Sequence, residues 1–138
     1  MLRKAVLLSV KDRFIDTEIE PPFKIGKGIR LESVADPGLT MSLVVIPPGG
    51  RNRRQYHVNC DAGMYIVKGP LKMFVGPDHE MEEFIVETGD LLFAPKGTIH
   101  GLANPSETEP AEMVTCYGGV GHQKEAGTVF IEPRWDKK

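Results

Sequence analysis

Among the side chains able to do chemistry in this sequence, His100 is the one whose position the chain fixes most tightly. An imidazole titrates near neutral pH and is a common metal ligand. His100 lies in GDLLFAPKGTIHGLAN, residues 89–104. Gly89-Asp90 ends one strand in a tight turn, and Pro95-Lys96-Gly97 fixes a second turn by its backbone demands. Between them, Leu91 to Ala94 is too short for a helix and reads as a buried strand. His100 then opens the next strand. An imidazole held by two turns among apolar strands is well placed to bind a metal.

A second histidine, His57, closes the run Arg51-Asn52-Arg53-Arg54-Gln55-Tyr56-His57. Strand side chains alternate faces. If His57 faces inward, Gln55 and Arg53 do too, and Arg54 and Tyr56 face outward, where Arg51 and Arg54 find solvent. His79 falls in a polar loop and His122 in a glycine-rich tail, so both are expected in solvent.

Gly89, Pro95, Gly97, His100 and Asn104 stand at the spacing G-x5-P-x-G-x2-H-x3-N. Gly49, Gln55, His57, Ala62 and Gly69 stand at the register G-x5-H-x-H-x4-E-x6-G, with Gln55 in place of the first His and Ala62 in place of the Glu. In both spacings the chain resembles the small single-domain cupins, over residues 40–118. The resemblance implies an all-β fold, a jelly-roll β-barrel with extra terminal strands. It also implies one divalent metal held by Gln55, His57 and His100. Iron is expected first, with Mn, Ni, Zn and Cu as alternatives.

Such ligands carry no negative charge. The metal then binds more weakly than in a complete site, and it makes bound water more acidic or takes an anionic substrate directly. Asp61 neighbours Ala62, but a one-residue step sends it to the other face, so it is not counted as a ligand. Arg53, on the ligand face near the start of its strand, is the expected catalytic residue, clamping a substrate carboxylate. Met64, Phe93 and Leu102 are expected to line the barrel.

The function implied is a metal-dependent enzyme acting on a small anionic organic molecule inside the barrel. A dioxygenase is favoured, because iron sites of this family can lack the Glu. The alternatives are a redox-neutral lyase, isomerase or decarboxylase, and a module that binds a small molecule without turnover.

The elements that must carry these residues are short strands between turns. Leu39 to Ile46, Gly63 to Lys68, Leu71 to Val75, Glu83 to Glu87 and Ala111 to Tyr117 read as strands, as do Gly26 to Val34, Ala5 to Val10 and Thr128 to Glu132. The 15 Gly and 11 Pro suit an all-β chain of 138 residues with one core, read as a single domain over 1–138. A net charge of −2 with interspersed signs argues against nucleic acid or a membrane surface as partner.

The apolar run after Arg3-Lys4 is too short for a signal peptide, which points to the cytoplasm. There Cys60 and Cys116, which lack CxxC spacing, are expected as free thiols. Spare terminal strands and Trp135, the sole tryptophan, suggest a homodimer.

Overall fold

The computed structural model describes residues 4–132. Eleven strands run in chain order: β1 (Phe14–Asp16), β2 (Lys24–Ile29), β3 (Leu39–Ile46), β4 (Gln55–His57), β5 (Ala62–Lys68), β6 (Leu71–Val75), β7 (Glu82–Val86), β8 (Leu91–Ala94), β9 (His100–Ala103), β10 (Ala111–Gly118) and β11 (Thr128–Phe130). Helical structure among the described residues is limited to short 3-10 turns, and none is long and apolar enough to cross a membrane. The strands form two antiparallel sheets, ordered β1-β2-β3-β10-β5-β8 and β11-β4-β9-β6-β7. This is a jelly roll.

Alternation builds the core between the sheets. On β5, Ala62, Met64 and Ile66 point inward and are buried, and Tyr65 and Val67 point out. Ile46, Ile66, Leu71 and Leu102 are almost wholly buried. Each contributes about 1.5–3 kcal/mol by leaving water. The register Ala62↔Ala94 and Met64↔Leu92 turns Leu92 and Ala94 of β8 toward the interior. Phe93 therefore faces out and is 67% exposed. The expectation that it lines the barrel is corrected by this register.

Strands β3, β6 and β8 have the bounds read from the sequence. The two N-terminal readings change. Residues 4–9 form no strand, and Val10–Asp12 is a 3-10 turn. Ser9 N–H and Oγ–H donate to Asp12 Oδ2, both at 2.9 Å, which draws the chain into a local turn. Leu7 and Val10 remain exposed, so no burial rewards an extended strand there. The strand expected to reach Val34 stops at Ile29. Ser33 Oγ donates to Gly28 O at 2.6 Å and accepts from Arg30 N–H at 3.0 Å, folding the chain over. Trp135 lies outside the described residues.

Arg54 was expected in solvent but is buried. Its Nε donates to Glu132 Oε1 at 2.6 Å, its backbone N–H donates to Glu132 Oε2 at 3.1 Å, and its guanidinium also pairs with Asp78. An acid just beyond β11 and another in the β6–β7 connection thus enclose it, and neither is near it in sequence.

Candidate metal centre

His57 and His100 reach one cavity from neighbouring strands. β4 pairs with β9 through Gln55↔His100, and with β11 through Thr128↔His57 and Phe130↔Gln55. The Pro95–Gly97 turn sets His100. Gly97 adopts φ 84°, a backbone region that favours glycine, and its N–H donates to the carbonyl of His57 at 2.8 Å. One turn therefore ties the two histidine-bearing segments together. Gly127, at φ 65°, places Thr128, whose Oγ1 lies 2.8 Å from His57 Nδ1. Asn104 is structural: its side-chain amide donates to the carbonyls of Ile46 at 3.1 Å and Glu109 at 2.8 Å.

The two rings are 5.2 Å apart between centroids, and Tyr117 lies 4.8 Å from His57. His100 Nδ1 is 2.9 Å from Thr98 O. A carbonyl only accepts, so Nδ1 carries the proton and Nε2 keeps its lone pair. Burial and the adjacent His100 push the pKa of His57 down to about 4. Burial also lowers His100, against a smaller raising effect of Thr98 O and Glu20. Both rings are neutral at pH 7, the state that ligates metals.

These shifts predict a pH dependence for the metal-free protein. The unfolded chain protonates His57 near pH 6.5, and the folded chain does so only near pH 4. Between those values the unfolded state holds more protons, so stability rises with pH and falls on acidification. At pH 4.5 the His57 contribution to destabilisation is on the order of 2 kcal/mol, allowing for solvent screening. Denaturant midpoints at pH 7 and 4.5 check this, and His57→Gln should flatten the difference.

Gln55 is buried and lines the same cavity. Its Nε2 donates to Glu20 Oε1 and, at 3.3 Å, to Arg53 O. Ala62, where the cupin register has Glu, is also buried and lines the cavity. Among the described residues, no three His, Cys, Asp or Glu side chains converge to hold a metal. The amide of Gln55 is the neutral oxygen-bearing group that lines the cavity beside the two imidazoles at the position the cupin register gives to a ligand. Two neutral nitrogens and a neutral oxygen make a donor set that fits a divalent ion.

The sequence reading missed Glu20. It is 8% exposed, lines the cavity, and accepts from Asn52 Nδ2 at 3.0 Å as well as from Gln55. Its only sequence signal was an acid immediately before Pro21-Pro22. Arg53 stands elsewhere than expected. It precedes β4, where strict strand alternation does not apply, and it does not line the cavity. Its guanidinium lies 3.5 Å from the Phe130 ring centroid and donates to Ile19 O at 3.1 Å. The cationic side chains that do line the cavity are Lys27 and Arg30. Lys27 pairs with Asp16 at 2.8 Å, and Arg30 with Glu32 at 3.6 Å.

His122 also lines the cavity, with Nε2 2.8 Å from Glu32, although it was expected in solvent. His79 is in solvent, as expected. Asp61 Oδ1 accepts from Lys96 N–H at 2.9 Å, a turn contact. Cys60 and Cys116 are free thiols, and burial raises both pKa values, so neither is a reactive thiolate.

Known proteins share this architecture. A germin-like protein of Arabidopsis thaliana is 24% identical over 96 residues, and one of Oryza sativa is 26% identical over 96 residues. Each alignment covers 67% of this chain, which spans less than half of each relative's length (44% and 43%). A solved oxalate oxidase superposes with a TM-score of 0.69 at 20% identity, covering 89% of this chain and 62% of the other. An oxalate decarboxylase of Bacillus subtilis gives 0.70 at 18% identity, covering 88% and 31%. At these identities the superpositions speak for the fold alone. The cupin-domain family model matches residues 42–117, more than half of the chain and both motif registers, and the protein belongs to the cupin family.

Proposed function

We propose that the protein is a metal-dependent cupin enzyme acting on a small anionic organic molecule. The observation that carries this reading is the pair of buried, neutral histidines facing one cavity beside Gln55. His57, His100 and Gln55 would hold a divalent ion, with Mn and Fe the best matches to mixed nitrogen and oxygen donors. Bound there, the ion would supply Lewis acidity and, for a redox metal, electron transfer.

The space inside is ≈ 50 Å³, enough for a few water molecules and therefore for a ligand of few heavy atoms. Lys27 and Arg30 line this space, each paired with an acid, and an entering carboxylate would have to share them with Asp16 and Glu32. Met64, Leu102 and Met113 give the cavity an apolar side. Among the structural relatives are an oxalate oxidase with the substrate analogue glycolate and an oxalate decarboxylase with formate. Mn(II) centres are described for the Bacillus subtilis decarboxylase. Short carboxylic acids are the matching substrate class.

We favour an oxygen-consuming reaction, a dioxygenase or oxidase. Redox-neutral decarboxylation is the second reading, carried by the decarboxylase likeness. The test loads the protein with Mn or Fe and offers short hydroxy, oxo and dicarboxylic acids in an oxygen electrode. Oxygen uptake lost in His57→Ala supports the first reading, and acid consumption without uptake supports the second. Saturable binding without turnover would reduce the protein to a binding module.

Two further expectations stand as proposals. The free thiols suit a reducing compartment, the cytoplasm. A homodimer would cover the outer face of the six-stranded sheet at its β8 edge, where Tyr65, Leu91 and Phe93 are exposed. Light scattering should give twice the 15.3 kDa chain mass, and Phe93→Glu should halve it. A wild-type mass of one chain would refute the dimer.

A further inference from the structure

We propose that Glu20 is a positioning residue of the metal centre. With Asn52, it would hold the Gln55 amide so that Oε1, and not Nε2, is presented to a metal bound by His57 and His100. The inference rests on the metal-binding reading above and names the residue that makes it chemically workable.

An amide has two ends of similar size and opposite chemistry. Its oxygen can coordinate a cation, and its NH2 group, with two donors and no lone pair to spare, cannot. A Gln in a ligand position therefore needs its orientation fixed. Here both amide protons have acceptors. One goes to Glu20 Oε1, and the other goes to Arg53 O at 3.3 Å. A carboxylate only accepts, so it discriminates the nitrogen end from the oxygen end.

The orientation of Glu20 is set in turn. Asn52 Nδ2 donates to the same Oε1 at 3.0 Å. Asn52 cannot flip, because its Oδ1 accepts from the backbone N–H of Leu102 at 2.8 Å, and that group only donates. A chain of four groups thus runs from a main-chain N–H on β9 through Asn52 and Glu20 to the Gln55 amide. Glu20, Asn52 and Gln55 are all buried.

The segment that brings Glu20 in is tied down from two sides. Arg53 Nη2 donates to Ile19 O at 3.1 Å, and Phe23 N–H donates to Glu20 O at 2.8 Å. The arginine expected to clamp a substrate instead holds the segment that carries Glu20. Glu20 also places one negative charge beside donors that have none, standing in for the carboxylate absent at Ala62. Outer-shell carboxylates of this kind affect metal affinity strongly.

The test is a double-mutant cycle on Mn2+ affinity, with free Mn2+ measured by EPR and folding checked by circular dichroism. Glu20→Gln preserves shape but no longer discriminates the two amide ends. It should weaken Mn2+ binding about 10–100-fold. Gln55→Ala removes the group being oriented, so adding Glu20→Gln to it should change the dissociation constant less than about threefold. A purely structural Glu20 would shift the melting temperature and leave the dissociation constant unchanged, which overturns the proposal. An equal loss in both backgrounds also overturns it, since Glu20 would then act independently of Gln55. If wild type and His100→Ala alike bind no Mn2+, the metal-binding reading itself has failed. If wild type binds, His100→Ala does not, and Glu20→Gln matches wild type, only the role of Glu20 has failed.

Discussion

His100→Ala is expected to lower divalent-metal affinity by more than about 100-fold, beyond the range found for outer-shell changes. The loss should be this large because the donor set is minimal. In the proposed site, two imidazoles and one amide oxygen would be the protein donors, and no three acidic, Cys or His side chains converge among the described residues to form an alternative set. The substitution should fold, because the strand ladder carrying position 100 uses main-chain bonds, Val75↔His100 and Gln55↔His100. His79→Ala is the matched control, since that side chain is 77% exposed. It should leave metal content unchanged. Dialysis against Mn2+ followed by elemental analysis of both variants decides it, and stoichiometric metal in His100→Ala would contradict the account.

Arg54→Ala is expected to destabilise the fold by about 3 kcal/mol, the low end for breaking a buried pair. Glu132 would be left as a carboxylate with an 11% exposed side chain and without its 2.6 Å partner. The other partner, Asp78, is largely exposed and should contribute little. For a chain of this length, ~3 kcal/mol corresponds to a melting temperature lower by roughly 10 °C. Arg51→Ala, which removes a 3.7 Å contact to the same Glu132 from a 43% exposed side chain, should cost less than about 1 kcal/mol. Equal effects for the two arginines, measured by thermal unfolding, would show that burial of the pair is not what matters.

Strands whose bounds are written as an apolar run between Gly, Pro and Asp turns were legible: Leu39–Ile46, Leu71–Val75 and Leu91–Ala94. So were the alternation that buries Gln55 and His57 together on one short strand and the turn that delivers His100. What the sequence hid were long-range partners. The pairing of Arg54 with Glu132 spans 78 residues, and the hydrogen bond of Gln55 with Glu20 spans 35. No local pattern encodes either.

Arg53 was misplaced because alternation was extended two residues beyond the start of β4. Phe93 was misplaced because the register of β8 on β5, and not its own apolarity, decides which face it takes. The N-terminal strand was misread from composition alone. Ala5 to Val10 is apolar enough, but the Ser9–Asp12 hydrogen bonds offer the backbone a local alternative.

Metal content of the purified wild-type protein tests the central claim most directly. After reconstitution with Mn2+ or Fe2+ and removal of excess ion, elemental analysis should find close to one equivalent per chain. Protein that holds no ion after exposure to Mn, Fe, Ni, Zn and Cu in turn would contradict the account, and His57 and His100 would then be hydrogen-bonded core residues around a metal-free ligand cavity.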